Sequence, residues 1–233
     1  MEWRLYYFDL LLVPSSLLIS IAYHIWLWRK VQSEPDRTII GLNSTISRRW
    51  VITMMKDNDK KNVLAVQTIR NFIMAVTLMA TTTMLLCCGL AAVISSTYSI
   101  KKPLSNAIYG ADGEFMLGVK YVILLLIFLF AFLCYSLSVR FINQANFLVN
   151  VPLGQSAGNA SSPVTPEYVW QLLGKGFLLN VAGNRLFYTA LPLLLWIFGP
   201  MLAFLCSATM IPVLYNYDFI AHEDEKVDRG LKV

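Results

Sequence analysis

Charged residues are scarce in this sequence, at 14% of its 233 positions, whereas soluble domains carry about 25%. Hydrophobic residues make up 57% of the chain, and the mean hydropathy is +0.57. This balance argues against a large soluble catalytic domain. It predicts an all-α integral membrane protein built as a single domain.

Histidine and cysteine are also few, with two histidines and four cysteines. Cys87 and Cys88 are neighbours, and all four cysteines lie in apolar stretches, so a disulfide framework is not indicated. No group has zinc-ligand spacing, and we expect no metal and no cofactor. Acids are nearly absent from the apolar stretches and no strained Gly-x-Ser-x-Gly turn is present, so we expect no enzymatic activity.

Long runs of basic residues are absent as well, although the net charge is +5. We therefore expect no nucleic-acid partner. The excess of positive charge suits the anionic head groups of membrane lipids.

Four apolar stretches are long enough to span a bilayer, which takes about 20 helical residues. They run over 5–28, 71–96, 121–139 and 186–217. The fourth is too long for one straight span and contains two prolines and a Gly-Pro pair, so we predict that it is kinked or broken. Residues 1–217 then form a four-helix transmembrane domain, and residues 218–233 form a charged tail.

The loops after the first and third spans are predicted to contain amphipathic helices. Ser47 to Lys56 mixes apolar and basic residues in a pattern typical of a helix in the head-group layer. Residues 60–70 are expected to extend the second span. Thr165-Pro166-Glu167 opens another helix, with Thr165 as its N-cap.

The distribution of Lys and Arg predicts the orientation. With four spans, twelve of the nineteen Lys and Arg residues lie in the first and third loops, which we place on the cytosolic face. Both termini are then non-cytosolic, and the Asn43 and Asn159 sequons stay unglycosylated. We expect a plasma-membrane or endomembrane location.

Four junctions carry a family resemblance. They are Asn43 through Arg48-Arg49-Trp50, residues 67–71 (QTIRN) before span two, residues 139–146 (VRFINQAN) after span three, and residues 183–188 (GNRLFY) before span four. Together they resemble the plant and bacterial membrane family catalogued as domain of unknown function 599. The resemblance covers nearly the whole chain, implies four membrane helices and brings no assigned catalytic residues.

Polar residues at the inner ends of spans three and four are the first candidate site. Arg140, Asn143 and Asn146 share one helix face, and Asn184, Arg185 and Tyr188 open span four. We expect the two sets to meet as a vestibule in which arginine and amide donors attract an anion. The alternative is head-group anchoring and helix packing.

Three further sets of residues have a functional and a structural interpretation. Thr77 and Thr81 begin a small, weakly polar stripe on span two that lines a pore or packs against a helix. Asp9, an acid within span one, is expected to form a buried ion pair with Lys120, with Arg4 as the other candidate, or to be protonated. The basic set of the first inner loop contacts lipid or phosphate, or simply anchors the inner face; its members are Arg48, Arg49, Lys60, Lys61 and Arg70.

These features favour an oligomeric ion channel that leans toward anions, with a small inorganic ion as the permeant species and a homo-oligomer surrounding the pathway. The alternative is a non-conducting scaffold or accessory subunit that binds anionic lipid and a protein partner. A carrier with a midplane site is a third option, supported only by the proline-broken fourth span.

Overall fold

The computed structural model describes residues 2–56, 58–100, 114–151 and 164–219, with the backbone alone for residues 2–10, 58–62, 97–100 and 114–116. These residues form six α-helices and a short 3-10 helix, Pro35–Arg37. The α-helices are α1 (Glu2–Ser33), α2 (Ile39–Lys56), α3 (Asn58–Ile100), α4 (Glu114–Leu148), α5 (Pro166–Leu195) and α6 (Pro200–Asp218). The prediction of an all-helical chain is confirmed.

Five of the described helices are long and apolar enough to cross a membrane, which identifies this as a membrane protein with one candidate span more than expected. The candidate spans are Leu11–Ser33, Val63–Ser96, Leu117–Leu148, Pro166–Leu195 and Pro200–Asp218.

The fourth apolar stretch, predicted to be kinked or broken over 186–217, is divided between two helices that are separate candidate spans, so the count of four spans is not confirmed. α5 ends at Leu195 and α6 begins at Pro200, where Gly199 takes φ 158° and ψ 154°, a backbone conformation essentially restricted to glycine. Pro200 suits the first turn of a new helix because it needs no N–H partner there. Arg185 near the middle of α5 contacts Asp218 at the end of α6, so the two helices form an antiparallel hairpin.

α4 is the central helix of the bundle. Phe128, Ala131, Tyr135, Ile142 and Ala145 are fully buried on it, at spacings that keep them near the side of α4 that packs between α3 and α5. The half of α4 that contains Phe128 packs with Cys87 and Ala190, and the half that contains Ile142 packs with Ile69 and Leu173. α3, α4 and α5 therefore form one continuous three-helix core.

Two glycines allow α5 to approach α4 closely. A Cβ added at Gly183 would lie 2.8 Å from Cε1 of Tyr135, and one at Gly176 would overlap the side chain of Ile142. Ser138 Oγ donates a hydrogen bond of 2.7 Å to the Gly176 carbonyl, which is accessible because glycine leaves the backbone uncovered.

At one end of the bundle, α3, α4 and α5 pack against α2 through Val51, Met55, Ile69, Ile142 and Leu173. The predicted helix in the first loop is confirmed, although it begins earlier than Ser47, at Ile39. The extension over residues 60–70 is confirmed as part of α3. The Thr165 cap is confirmed too, since its hydroxyl accepts the N–H of Tyr168 at 3.2 Å.

α6 packs against α1. Tyr23, Leu27 and Leu214 form a buried cluster, and Trp26 stacks on Tyr215 with ring centroids 6.2 Å apart. Asp218, which we assigned to the charged tail, is instead the last residue of α6. Its side chain is 1% exposed.

Candidate functional site

A buried polar cluster joins α1, α5 and α6. Arg185 Nη2 donates to Asp218 Oδ1 in a close ion pair, and the Tyr23 hydroxyl donates to Asp218 Oδ2 at 2.6 Å. The Arg185 side chain is 14% exposed. All three residues lie in segments that meet the criteria for membrane spans, where an ionisable side chain is expensive and indicates a functional site by default.

The backbone around Asp218 holds its carboxylate in this position. Phe219, the next residue, forms an isolated antiparallel bridge with Thr38, and Thr38 is fully buried between α1 and α2. The end of α6 is thereby fixed to the turn that joins the first two helices.

The pairing explains how two charges are tolerated among apolar helices. Removing an ion from water costs several kcal/mol, and a partner at hydrogen-bond distance offsets most of that cost. The offset is incomplete, because the second terminal nitrogen, Arg185 Nη1, is buried and has no hydrogen-bond partner among the described residues.

A narrow cleft lies next to the cluster, between the same three helices. Its free volume of about 10 Å³ is at the lower limit for one water molecule. Tyr23, His24, Tyr188 and Ser207 contribute polar atoms to its lining. His24 Nδ1 lies 2.7 Å from the Ser20 carbonyl and therefore carries the proton, while the buried Nε2 has no partner among described residues. The cleft thus offers His24 Nε2 as an unused acceptor, and the ion pair beside it offers Arg185 Nη1 as an unused donor.

These groups can hold a water molecule or a proton, but they contain no evident nucleophile with its base. No group of three or more described His, Cys, Asp and Glu side chains is placed to bind a metal ion. The chemistry of the cluster is therefore ion pairing and hydrogen bonding.

The predicted vestibule is divided between the interior and the surface of the protomer. Asn184 Oδ1 accepts the Tyr135 hydroxyl at 2.8 Å, Arg185 is paired, and Tyr188 lines the cleft, so the three α5 residues face inward. Arg140 and Asn143 are exposed on α4.

The structure does not bring Arg140 and Arg185 together, because α4 and α5 are antiparallel. Ser138 lies beside Gly176 and Tyr135 beside Asn184, so Arg140 is level with the first half of α5. Arg185 lies about nine residues further along, or roughly 13 Å at 1.5 Å per residue. Asn146 is half-buried on α4, and its Oδ1 has no described partner.

Thr77 and Thr81 are exposed on α3. The Thr81 hydroxyl bonds to the Leu78 carbonyl at 2.8 Å, which satisfies it within its own helix. The small stripe of span two therefore faces outward and does not pack against a sibling helix.

The basic residues of the first loop are partly engaged. Arg48 forms an ion pair of 3.2 Å with Glu167 and lies 5.4 Å from the centroid of the Trp170 ring. Arg49 and Arg70 are exposed, and the side chains of Lys60 and Lys61 fall outside the described residues.

Lys120 is buried, with 5% exposure. Its Nζ lies 3.5 Å from the Trp196 carbonyl and 4.7 Å from the centre of the Trp196 ring. The side chain of Asp9, its predicted partner, lies outside the described residues.

Sequence reasoning missed Tyr23, His24 and Asp218 as members of one site. If 186–217 were one span, Asp218 would lie on the opposite membrane face from Arg185. The signal that could have corrected this was Gly199-Pro200, which stands near the middle of the apolar stretch, between the end of α5 and the start of α6.

Comparison with known proteins identifies one family. The sequence model of a family described as "Protein of unknown function, DUF599" matches residues 11–223. No curated protein and no solved structure matches the chain significantly.

Proposed function

The chain belongs to the DUF599 family, and from that premise we propose that it is a subunit of an oligomeric ion-conducting membrane protein that favours anions. The observation that carries the proposal is the outward-facing polar face of α3, which has no use inside the protomer. The surrounding helices of other copies would turn this face into a pathway.

Five spans give the proposed protein a defined topology. The α5–α6 hairpin returns the chain to the face that carries α2, so the N-terminus lies outside and the residues after Phe219 lie inside. Fourteen of the nineteen Lys and Arg residues then lie on the inner face, with Arg185 left out because it is buried within α5, and this is a larger asymmetry than four spans allow. The positive-inside rule supports this arrangement over two external termini. The membrane is the plasma membrane or an endomembrane.

The pathway face follows α3 over about 37 Å at 1.5 Å per residue. Its members lie within about 80° of one another on a helix of 3.6 residues per turn, and each is exposed in the protomer: Arg70, Met74, Thr77, Thr81, Met84, Cys88, Ala92 and Ser95. The hydroxyls make the face more polar than lipid-facing helices require, while the small side chains allow a narrow lumen.

Positive charge at the inner end supports the preference for anions. Ile69 and Ile142 share one core cluster, so their neighbours Arg70 and Arg140 lie at the same level, and both are exposed. Each additional subunit adds two arginines to this ring, and Asn143 adds a neutral donor. Arg185 does not contribute, because Asp218 neutralises it.

The test is current through purified protein in a planar bilayer under a tenfold gradient of potassium chloride. An ideally anion-selective pathway reverses about 59 mV from zero, at the chloride potential. Arg140→Gln should lower the chloride-to-potassium permeability ratio about fivefold, since one arginine contributes roughly 1 kcal/mol to local anion attraction. Arg29→Gln is the matched control, because Arg29 is exposed at the inner end of α1, away from α3.

Reversal at the potassium potential would contradict the charge argument. The absence of current from monodisperse samples of both variants would contradict conduction. It would favour the alternative of a scaffold whose basic inner face binds a partner.

A further inference from the structure

A groove on the inner face lies between α2 and the first turns of α5. It has a volume of about 380 Å³, within the range of roughly 300–1,000 Å³ that small-molecule sites occupy. Six residues line it: Ser44, Thr45, Arg48, Arg49, Ile52 and Trp170. Two cations, two hydroxyls and an aromatic ring on an apolar wall make a surface that recognises a phosphate with an attached hydrocarbon.

The groove is preorganised by contacts around Trp170. The indole N–H donates to the Ser44 carbonyl at 3.3 Å, which fixes the ring between the two helices. Arg48 lies against that ring and is held from the other side by Glu167. Arg48 therefore loses little rotational freedom when a ligand binds.

Arg49 supplies the charge that the groove leaves uncompensated. Glu167 offsets Arg48, whereas Arg49 makes no ion pair with a described acidic residue and is exposed at the groove. The local net charge is thus positive by one, which matches a single phosphodiester.

The depth of the groove identifies the source of the phosphate. Trp170 and Trp196 are 26 residues apart on and just beyond α5, or about 39 Å along a helix axis. This separation is close to the 40–45 Å thickness of a bilayer including its two head-group regions, and tryptophans favour the two membrane–water interfaces. Ile52, which is 42% exposed in the groove, offers an apolar surface toward the acyl chains.

We propose that the α2–α5 groove binds the head group of an anionic phospholipid, with Arg49 and the hydroxyls on the phosphate and Trp170 at the glycerol level. The site is separate from the proposed ion pathway, so its test does not depend on conduction.

The test is native mass spectrometry of the full chain in detergent, titrated with phosphatidylglycerol. One lipid per chain should bind saturably, and phosphatidylcholine of equal chain length should bind more weakly. Arg49→Gln should raise the dissociation constant for phosphatidylglycerol about fivefold. Lys56→Gln removes the same charge from the same helix outside the groove, and it should change the constant less than twofold.

A second pair of variants tests the role of Glu167. Arg48→Gln leaves the Glu167 carboxylate next to the groove without its partner, so it should weaken binding more than Arg49→Gln does. Adding Glu167→Gln to Arg48→Gln should recover binding, because the repulsive charge is removed.

Three results would overturn the proposal. Equal losses in Arg49→Gln and Lys56→Gln would show diffuse attraction without a site. Unchanged binding in Arg49→Gln would place the lipid elsewhere. Displacement of phosphatidylglycerol by equimolar inorganic phosphate would assign the groove to a soluble anion.

Discussion

Replacing Asp218 by asparagine should destabilise the protein by about 3–5 kcal/mol, the usual cost of removing one partner from a buried ion pair. The upper part of that range is expected because the Asp218 side chain is 1% exposed and that of Arg185 14%. Arg185 already has one terminal nitrogen without a described partner, and the substitution leaves it a buried charge without a counter-ion.

Two further changes divide this effect into its parts. Tyr23→Phe removes one hydrogen bond to a charged group and should cost about 1.5–3 kcal/mol. Tyr217→Phe is its matched control, since Tyr217 is 55% exposed and should have no measurable effect. The double substitution Arg185→Met with Asp218→Leu should recover most of the stability lost in Asp218→Asn, because an apolar pair of similar volume carries no desolvation cost.

The free energy of unfolding can be measured by titrating the purified protein from a mild detergent into dodecyl sulfate and following tryptophan fluorescence. If Asp218→Asn and Arg185→Gln both unfold at the same detergent fraction as the parent protein, the ion pair is not formed. That result would also remove one support for the hairpin of α5 and α6, since a single helix over 186–217 keeps the two residues far apart.

Two other predictions concern topology and packing. In a background that lacks the native cysteines, Arg49→Cys and Lys226→Cys should react with an impermeant maleimide from the same side of sealed vesicles. Arg4→Cys should react from the other side. If the cysteines at residues 4 and 226 react from one side, the number of spans is even. Gly183→Val should lower the stability by about 1–3 kcal/mol through overpacking against Tyr135. Gly174→Ala should leave the stability unchanged or raise it, because an added Cβ there meets nothing within 4 Å. Equal effects of the two substitutions would refute the close contact between α4 and α5.

Local signals predicted the elements that depend on neighbours in sequence. The Thr165 cap, the helix over residues 60–70 and the amphipathic α2 follow from capping chemistry and apolar periodicity, which act within a few residues. α4 was predicted because its most apolar 18-residue window has a mean hydropathy of 2.8, the highest among the candidate spans.

The hairpin could not be predicted with the same rules, because two short spans and one long broken span have the same composition. Even the most apolar 18-residue windows of α5 and α6 have a mean hydropathy of only 1.2, although Gly176 and Gly183 bring α5 close to α4. The buried cluster depends on the hairpin: Tyr23 and Asp218 are 195 positions apart, and no periodic pattern links them.

The pairing of Arg185 with Asp218 has a consequence for how the chain enters the membrane. Arg185 emerges from the ribosome 33 residues before the acid that compensates it, and during that interval α5 carries an unpaired charge that opposes its transfer into lipid. We therefore expect α5 to stay at the insertion machinery until α6 is complete, and the two helices to enter the bilayer together.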